Sequence, residues 1–253
     1  MRLAKFFHSG KSLEGTEENG QLVDSSGKAY SYDQVTWLPP ANPSKIIGFV
    51  LNYRDHANEL GLNVSEDPII FLKPPSSLIG NQGEIIHPEG TKYMHYEGEL
   101  CVVMGRPTHK VKANQSLECV KGFTIANDVT VRDFITNTFR PPVKAKGFDT
   151  FCPTGPYLVT PDEAGDISNL KIRTFVNRHL RQEGTTSDLM HSVPEMIEYL
   201  ADFMTLFPGD MILTGTPKGI SPIQPGDKIE IEIDNLGKLE NTVVAEEKRG
   251  VQS

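Results

Sequence analysis

The stretch HYEGEL places Glu97 and Glu99 two residues apart inside a run that reads as a β-strand. Side chains at i and i+2 of a strand point to one face, about 6.5–7 Å apart along it. The repulsion of two such carboxylates is about 0.6 kcal/mol in bulk water and about 2.5 kcal/mol near a protein surface. The pair therefore needs either a fully wet face or a positive charge set against both. Asp128 offers a third carboxylate where the strand GFTIAN gives way to VTVRDF. Three carboxylates make a hard, all-oxygen donor set that suits Mg²⁺ or Mn²⁺, or Ca²⁺ if more oxygens join. Zinc would want more nitrogen or sulfur. The plainer alternative is a solvated acidic edge strand. His95 and Cys101 share the odd-numbered face, His95 as a fourth ligand or as a packed ring, while Leu100, Val102 and Met104 face the core.

A second cluster is Asp55-His56-Ala57-Asn58-Glu59. On a helix His56 and Glu59 are neighbours at i and i+3. A carboxylate beside an imidazole orients it and raises its basicity, as a general base near pH 7 requires; an ordinary polar helix face is the competing reading. Lys73, Arg132 and Lys146 could each neutralise a substrate carboxylate, or simply pair with one of the many acids. TGTPKG, residues 214–219, lacks the spacing of a phosphate-binding loop. It reads as a tight turn that could offer the Thr216 hydroxyl and backbone N–H groups to a ligand.

The elements that must hold these residues are mostly strands. Ile46, Ile47, Phe49 and Val50 form a buried strand leading into LNYRDHANELG, a short helix ended by Gly61. IIFLKP, EIIHP, EGELCVVMG and GFTIAND read as further strands. The one longer helix is SVPEMIEYLADFMTL, with Val193, Met196, Ile197, Leu200, Phe203 and Met204 on one face and a Ser192/Glu195 capping box. Two PGD turns, at 208–210 and 225–227, each launch a strand, the second alternating with Ile229, Ile231 and Ile233 inward. Residues 1–44 carry two Gly-marked turns and a Pro-rich exit, and read as a small N-terminal β-hairpin segment with a stiff linker. With no βαβ rhythm, the fold class expected is mostly β, or α+β with little α.

At 253 residues the chain suits one large domain or one domain with an appendage. A formal charge of −8 argues against nucleic acid or an anionic membrane as the main partner. Cys101, Cys119 and Cys152 show no metal or redox spacing and read as buried free thiols. The opening MRLAKFFHSG lacks a signal-peptide apolar run, and no stretch approaches the roughly 20 apolar residues of a membrane span. A soluble, cytoplasmic protein is expected.

From about residue 45 onward, NYRDHANEL, FLKP, MHYEGELCVVMG, GFTIANDVTVRD, KAKGFDTFCPTGP, RQEGTTSDL and PGDMILTGTPKG resemble, in order, the fumarylacetoacetate hydrolase family. KYMHYEGELCVVMG, FRPPVKAKGFDTFCP and LADFMTLFPGDMILTGTPKGI are most similar to its isomerase/decarboxylase branch, in particular to the C-terminal half of such enzymes. The resemblance implies a mixed β-roll, usually dimerised, and a divalent metal, usually Mg²⁺ or Mn²⁺, on Glu97, Glu99 and Asp128. It makes His56 and Glu59 an acid/base dyad on a mobile segment, has Lys146 bind substrate, and has Thr216 complete a carboxylate pocket. The implied reaction is decarboxylation of 5-carboxymethyl-2-oxohex-3-enedioate, with isomerisation of 2-hydroxyhepta-2,4-dienedioate linked to it, in homoprotocatechuate breakdown. The alternatives are an acylpyruvate (2,4-diketo acid) hydrolase, an oxaloacetate decarboxylase, or a non-catalytic partner subunit with a structural metal. Relatives acting on acylpyruvates and oxaloacetate often have glutamine three residues after the arginine matching Arg132, where this chain has Ile135; a polar substrate or water contact is missing, which weakens those substrates as candidates. The expected partners are a di- or tricarboxylate substrate and a second copy or a homologous chain.

Overall fold

A computed structural model of the chain describes residues 1–62, 67–135 and 141–247. Phe139 and Arg140 of the FRPPVKAK stretch lie outside the described residues. The molecule is mostly β with few helices, and its sheets do not close on themselves. The larger sheet has a central ladder of Cys152–Val159, Val120–Asn127, Gly98–Met104, Met211–Leu213, Ile46–Val50 and Ile69–Lys73. A second, five-stranded sheet runs through His179–Thr185, Lys171–Val176, Lys228–Ile233, Gly237–Ala245 and Glu84–His87.

The N-terminal turns form at Gly20 and Gly27, both in the left-handed region that glycine occupies without strain. The hairpins they close extend the larger sheet, because Arg2–His8 pairs antiparallel with Cys152–Val159. Phe6, Leu22 and Trp37 of this segment join the main apolar core.

The strand Gly98–Met104 is buried on both faces. Leu100, Val102 and Met104 enter the main core, whereas Cys101 and Val103 pack with Ile46, Met211 and Leu213 in a second apolar layer. The odd-numbered face is thus polar only at its beginning. All three cysteines are free and buried. In the lower strand Ile229, Ile231 and Ile233 point inward as the alternation requires.

The main helix covers Val193–Phe203 and its Ser192/Glu195 capping box is present, with the Ser192 N–H donating to Glu195 Oε2 at 2.7 Å. Its buried face is Val193, Met196, Ile197, Leu200 and Ala201. Phe203 departs from expectation and is 55% exposed. At 100° per residue it stands on the flank of that stripe, and Ala201 takes the place beside the core. Met204 is already the C-cap, in extended backbone. No helix among the described residues is long and apolar enough to cross a membrane.

Candidate active site

Glu97 does not belong to the strand that carries Glu99. Met94–His95 pairs with Thr130–Val131, the chain breaks its ladder at Tyr96 and Glu97, and a new strand starts at Gly98. Local hydrogen bonds replace the ladder at the break. The Glu97 N–H donates to Asn127 Oδ1 (2.9 Å), and Glu97 O accepts the Asp128 N–H (2.8 Å). This exchange sets Asp128 beside Glu97 at the ends of two neighbouring strands. Glu97, Glu99 and Asp128 are all buried, and each offers one oxygen lying within 4.8 Å of the others'.

Among the described residues three cations meet this set. Lys146 Nζ donates to Glu97 Oε2 (2.9 Å), to Thr130 Oγ1 (2.8 Å) and to Asp128 Oδ2. Arg132 Nη2 donates to Glu97 Oε1. Lys73 Nζ donates to Asp128 Oδ1 at 2.7 Å and to the carbonyl of Lys146. Lys73 differs from expectation: its side chain is fully buried behind Asp128, away from the cavity that Arg132 and Lys146 line. Its geometry is that of a group that orients Asp128.

Among the described residues Glu99 ion-pairs with no cation; its Oε2 accepts the Gly215 N–H at 2.8 Å. Burial and the neighbouring Asp128 and Glu97 charges push its carboxyl well above the usual range. Burial also pushes Glu97 up, but Lys146, Arg132 and His56 outweigh it and hold that carboxyl at about 2. A buried carboxylate lacking a cation, beside two more hard oxygen donors, fits a divalent ion. His95 is no part of that cluster. Burial and the Arg132 charge push its imidazole down to about 4.

These shifts fix the sign of a pH effect. In metal-free protein Glu99 contributes stability that is complete below its usual 4.5 and is lost as pH rises through its higher folded value. Glu97 contributes stability present above 4.5 and lost as pH falls towards 2. An ion needs Glu99 ionised, so Mn²⁺ binding at pH values between 4.5 and the raised value should release a proton and tighten as pH rises. Calorimetric titration in two buffers of different ionisation enthalpy reads the release. Identical heats in both would contradict it.

The short helix Arg54–Glu59 brings the second cluster to the same cavity. His56 is buried and lines it, with Nδ1 3.1 Å from Glu59 Oε2. The Gly219 N–H holds Glu59 Oε1 at 2.9 Å, so the TGTPKG turn fixes the glutamate and the glutamate fixes the imidazole. Thr216 also lines the cavity, but its hydroxyl proton goes to Gly98 O at 2.9 Å. The cavity holds about 310 Å³. Its floor is the carboxylates and their cations, and its mouth is hydrocarbon from Leu60, Leu62, Ile69 and Ile135, each between a third and a half exposed.

Several residues that shape the site carry no chemistry that sequence reasoning weighs. Asn52 holds the turn by donating to Thr214 O (2.9 Å) and His191 O (3.1 Å). Gly215 has φ +97°, and a Cβ there would meet the Asn52 Cβ at 3.0 Å. Gly215→Ala is therefore expected to cost about 1–3 kcal/mol of stability and to weaken Mn²⁺ binding by displacing the donor on Glu99. Denaturant unfolding with a Mn²⁺ titration checks both. Asn127 and Gln182 are the other two; the sequence signals for Gln182 are its place in the family-like stretch RQEGTTSDL and an uncharged polar residue between two charged ones.

The chain belongs to the fumarylacetoacetate hydrolase family: residues 45–244 match the fumarylacetoacetate (FAA) hydrolase C-terminal domain. Members of this family typically bind a divalent metal, and the buried acidic triad is present here. A relative from Salmonella dublin, the 4-hydroxyphenylacetate degradation bifunctional isomerase/decarboxylase, is 44% identical over 212 residues, covering 84% of this chain and 49% of the relative. The chain thus spans about half the length of the bifunctional relatives it matches. Among solved structures, 5-carboxymethyl-2-hydroxymuconate delta-isomerase from Mycobacterium smegmatis superposes with a TM-score of 0.88 at 39% identity, over 98% of this chain and 100% of that one. The 2-hydroxyhepta-2,4-diene-1,7-dioate isomerase from Mycobacterium marinum gives 0.87 at 34% identity, over 98% and 100%.

Proposed function

We propose that the chain is a divalent-metal-dependent decarboxylase and isomerase of 2-oxo acids, with Mg²⁺ or Mn²⁺ held by Glu97, Glu99 and Asp128. Its substrates on this reading are 5-carboxymethyl-2-oxohex-3-enedioate and 2-hydroxyhepta-2,4-dienedioate. The observation that carries it is the opening of the buried triad and of His56 into one cavity, with Glu59 3.1 Å from the His56 ring. A purely structural ion has no use for an adjacent base.

A bound divalent ion supplies Lewis-acid stabilisation of negative charge on the keto and carboxylate oxygens of such an acid. The chain's own groups do the rest. His56 takes or returns a proton at the substrate carbon, with Glu59 holding the ring and balancing its charge. Lys146 and Arg132 set positive charge beside the carboxylates of the floor and towards an anionic substrate. The apolar mouth keeps water from the reacting end.

The mouth also favours a second reading. Leu60, Leu62 and Ile69 would suit the hydrocarbon tail of a 2,4-diketo acid, which C–C hydrolysis would split into two acids, while Ile135 in place of glutamine speaks against it. We take the active form to be a homodimer or a pair with a homologous chain. The bifunctional relatives, about twice the matched length, have room for two such halves; light scattering gives the mass.

The test is to strip the full chain with chelator and follow both compounds by ultraviolet absorbance, with and without Mg²⁺ or Mn²⁺. Metal-dependent consumption with CO₂ release supports the decarboxylase. Conversion without CO₂ leaves an isomerase. No reaction on either compound overturns the substrate assignment and sends the search to acylpyruvates and oxaloacetate.

A further inference from the structure

Two parts of the site must keep register: the strand start that carries Glu99, and the turn over the cavity that carries Thr216. Besides their direct hydrogen bonds, a side chain from another strand ties them together. Gln182 lies on the edge strand His179–Thr185 of the smaller sheet, fully buried between the exposed Arg181 and Glu183. Its Oε1 accepts the N–H of Gly98, the residue between Glu97 and Glu99, at 3.2 Å. Its Nε2 donates to Thr216 Oγ1 and to Pro217 O, both at 2.8 Å. Thr216 in turn donates its hydroxyl to Gly98 O at 2.9 Å. The circuit is closed: Gly98 to Gln182, Gln182 to Thr216, Thr216 back to Gly98. The sheets meet closely here, since a Cβ on Gly98 would lie 2.5 Å from Thr174 Oγ1.

We infer that Gln182 is a positioning residue of the active site, locking the peptide between the two glutamates to the Thr216 turn so that the ion-holding carboxylates and the substrate pocket keep one register. An apolar side chain of the same length would take the Gln182 partner from the buried Gly98 N–H and from Pro217 O, and would leave Thr216 Oγ1 only its bond to Gly98 O. Both arms would then loosen together. The inference rests on the reading of Glu97, Glu99 and Asp128 as the ion-holding set.

The test uses chelator-stripped full-length Gln182→Met, Thr216→Val and the double variant, with Mn²⁺ alone as the first probe, read by calorimetry. Gln182→Met should weaken Mn²⁺ binding about tenfold and raise KM about tenfold, with kcat within about threefold. Thr216→Val breaks the same circuit from the other side, so the double variant should lose little more than either single one. Folded Gln182→Met with wild-type Mn²⁺ affinity and KM overturns the inference, as does full additivity of the two losses. If Gln182→Met does not fold, Thr216→Val carries the test, and unchanged Mn²⁺ affinity in it is the overturning result. Weakened Mn²⁺ binding without turnover of any 2-oxo acid would leave this inference standing and remove the proposed reaction.

Discussion

Glu59→Gln is expected to lower kcat by about 10²–10⁴-fold while Mn²⁺ affinity stays at the wild-type value. The carboxylate is gripped from both sides, by His56 Nδ1 at 3.1 Å and by the Gly219 N–H at 2.9 Å. As a carboxylate it accepts from Nδ1–H, which fixes the tautomer that leaves the far ring nitrogen free to take a proton. A carboxamide keeps the shape and loses the charge. It can also turn its NH₂ towards Nδ1 and stabilise the opposite tautomer. His56→Ala should cost at least as much, and the double variant little beyond it, because the two groups act as a unit. An unchanged kcat would return the non-catalytic partner subunit to the front. Loss of Mn²⁺ binding along with kcat would instead make the pair part of the ion-holding set.

Lys146→Met should do two opposite things. In metal-free protein the ammonium touches Glu97, Asp128 and Thr130 and lies 4.8 Å from the centre of the Phe71 ring, almost wholly buried. Removing it strands buried negative charge, a loss of about 3–5 kcal/mol. Lys73 and Arg132 remain, each on a single carboxylate, which keeps the loss from being larger. A divalent ion and the ammonium draw on the same oxygens, so the variant should bind Mn²⁺ more tightly than wild type and regain most of its stability when loaded. Activity should fall more than a hundredfold, about 2.7 kcal/mol or more of transition-state stabilisation, because the more deeply buried of the two cations lining the cavity is gone. Denaturant melts with and without Mn²⁺, beside a Mn²⁺ titration, check both directions. Weaker Mn²⁺ binding in the variant would show that Lys146 holds the carboxylates in place instead of competing for them.

The sequence legible by local rules was legible almost residue by residue. Alternation placed Ile229, Ile231 and Ile233 in the core, the Ser192/Glu195 pair started the helix it should, and both PGD turns launched strands. The acidic triad was visible as residue types, and the His56–Glu59 contact followed from helical spacing. Local rules failed where a neighbour distant in the chain overrode them. Phe203 was displaced to the helix flank, and Glu97 was drawn off its strand by Asn127 and Asp128, about thirty residues on.

What the sequence determined by itself is the chemistry available: three carboxylates, an imidazole with its carboxylate, and the strands and turns that carry them. The strands and the His56–Glu59 contact follow from fixed rises and rotations per residue, which need no knowledge of the rest of the fold. What only the tertiary structure decided is that Arg132 and Lys146 line the cavity while Lys73 lies behind Asp128, and that Gln182 ties Gly98 to Thr216 from 84 and 34 residues away. Those contacts depend on how sheets pair and stack across the whole chain. The same lysine or glutamine is surface, core or site according to a register that no local window contains.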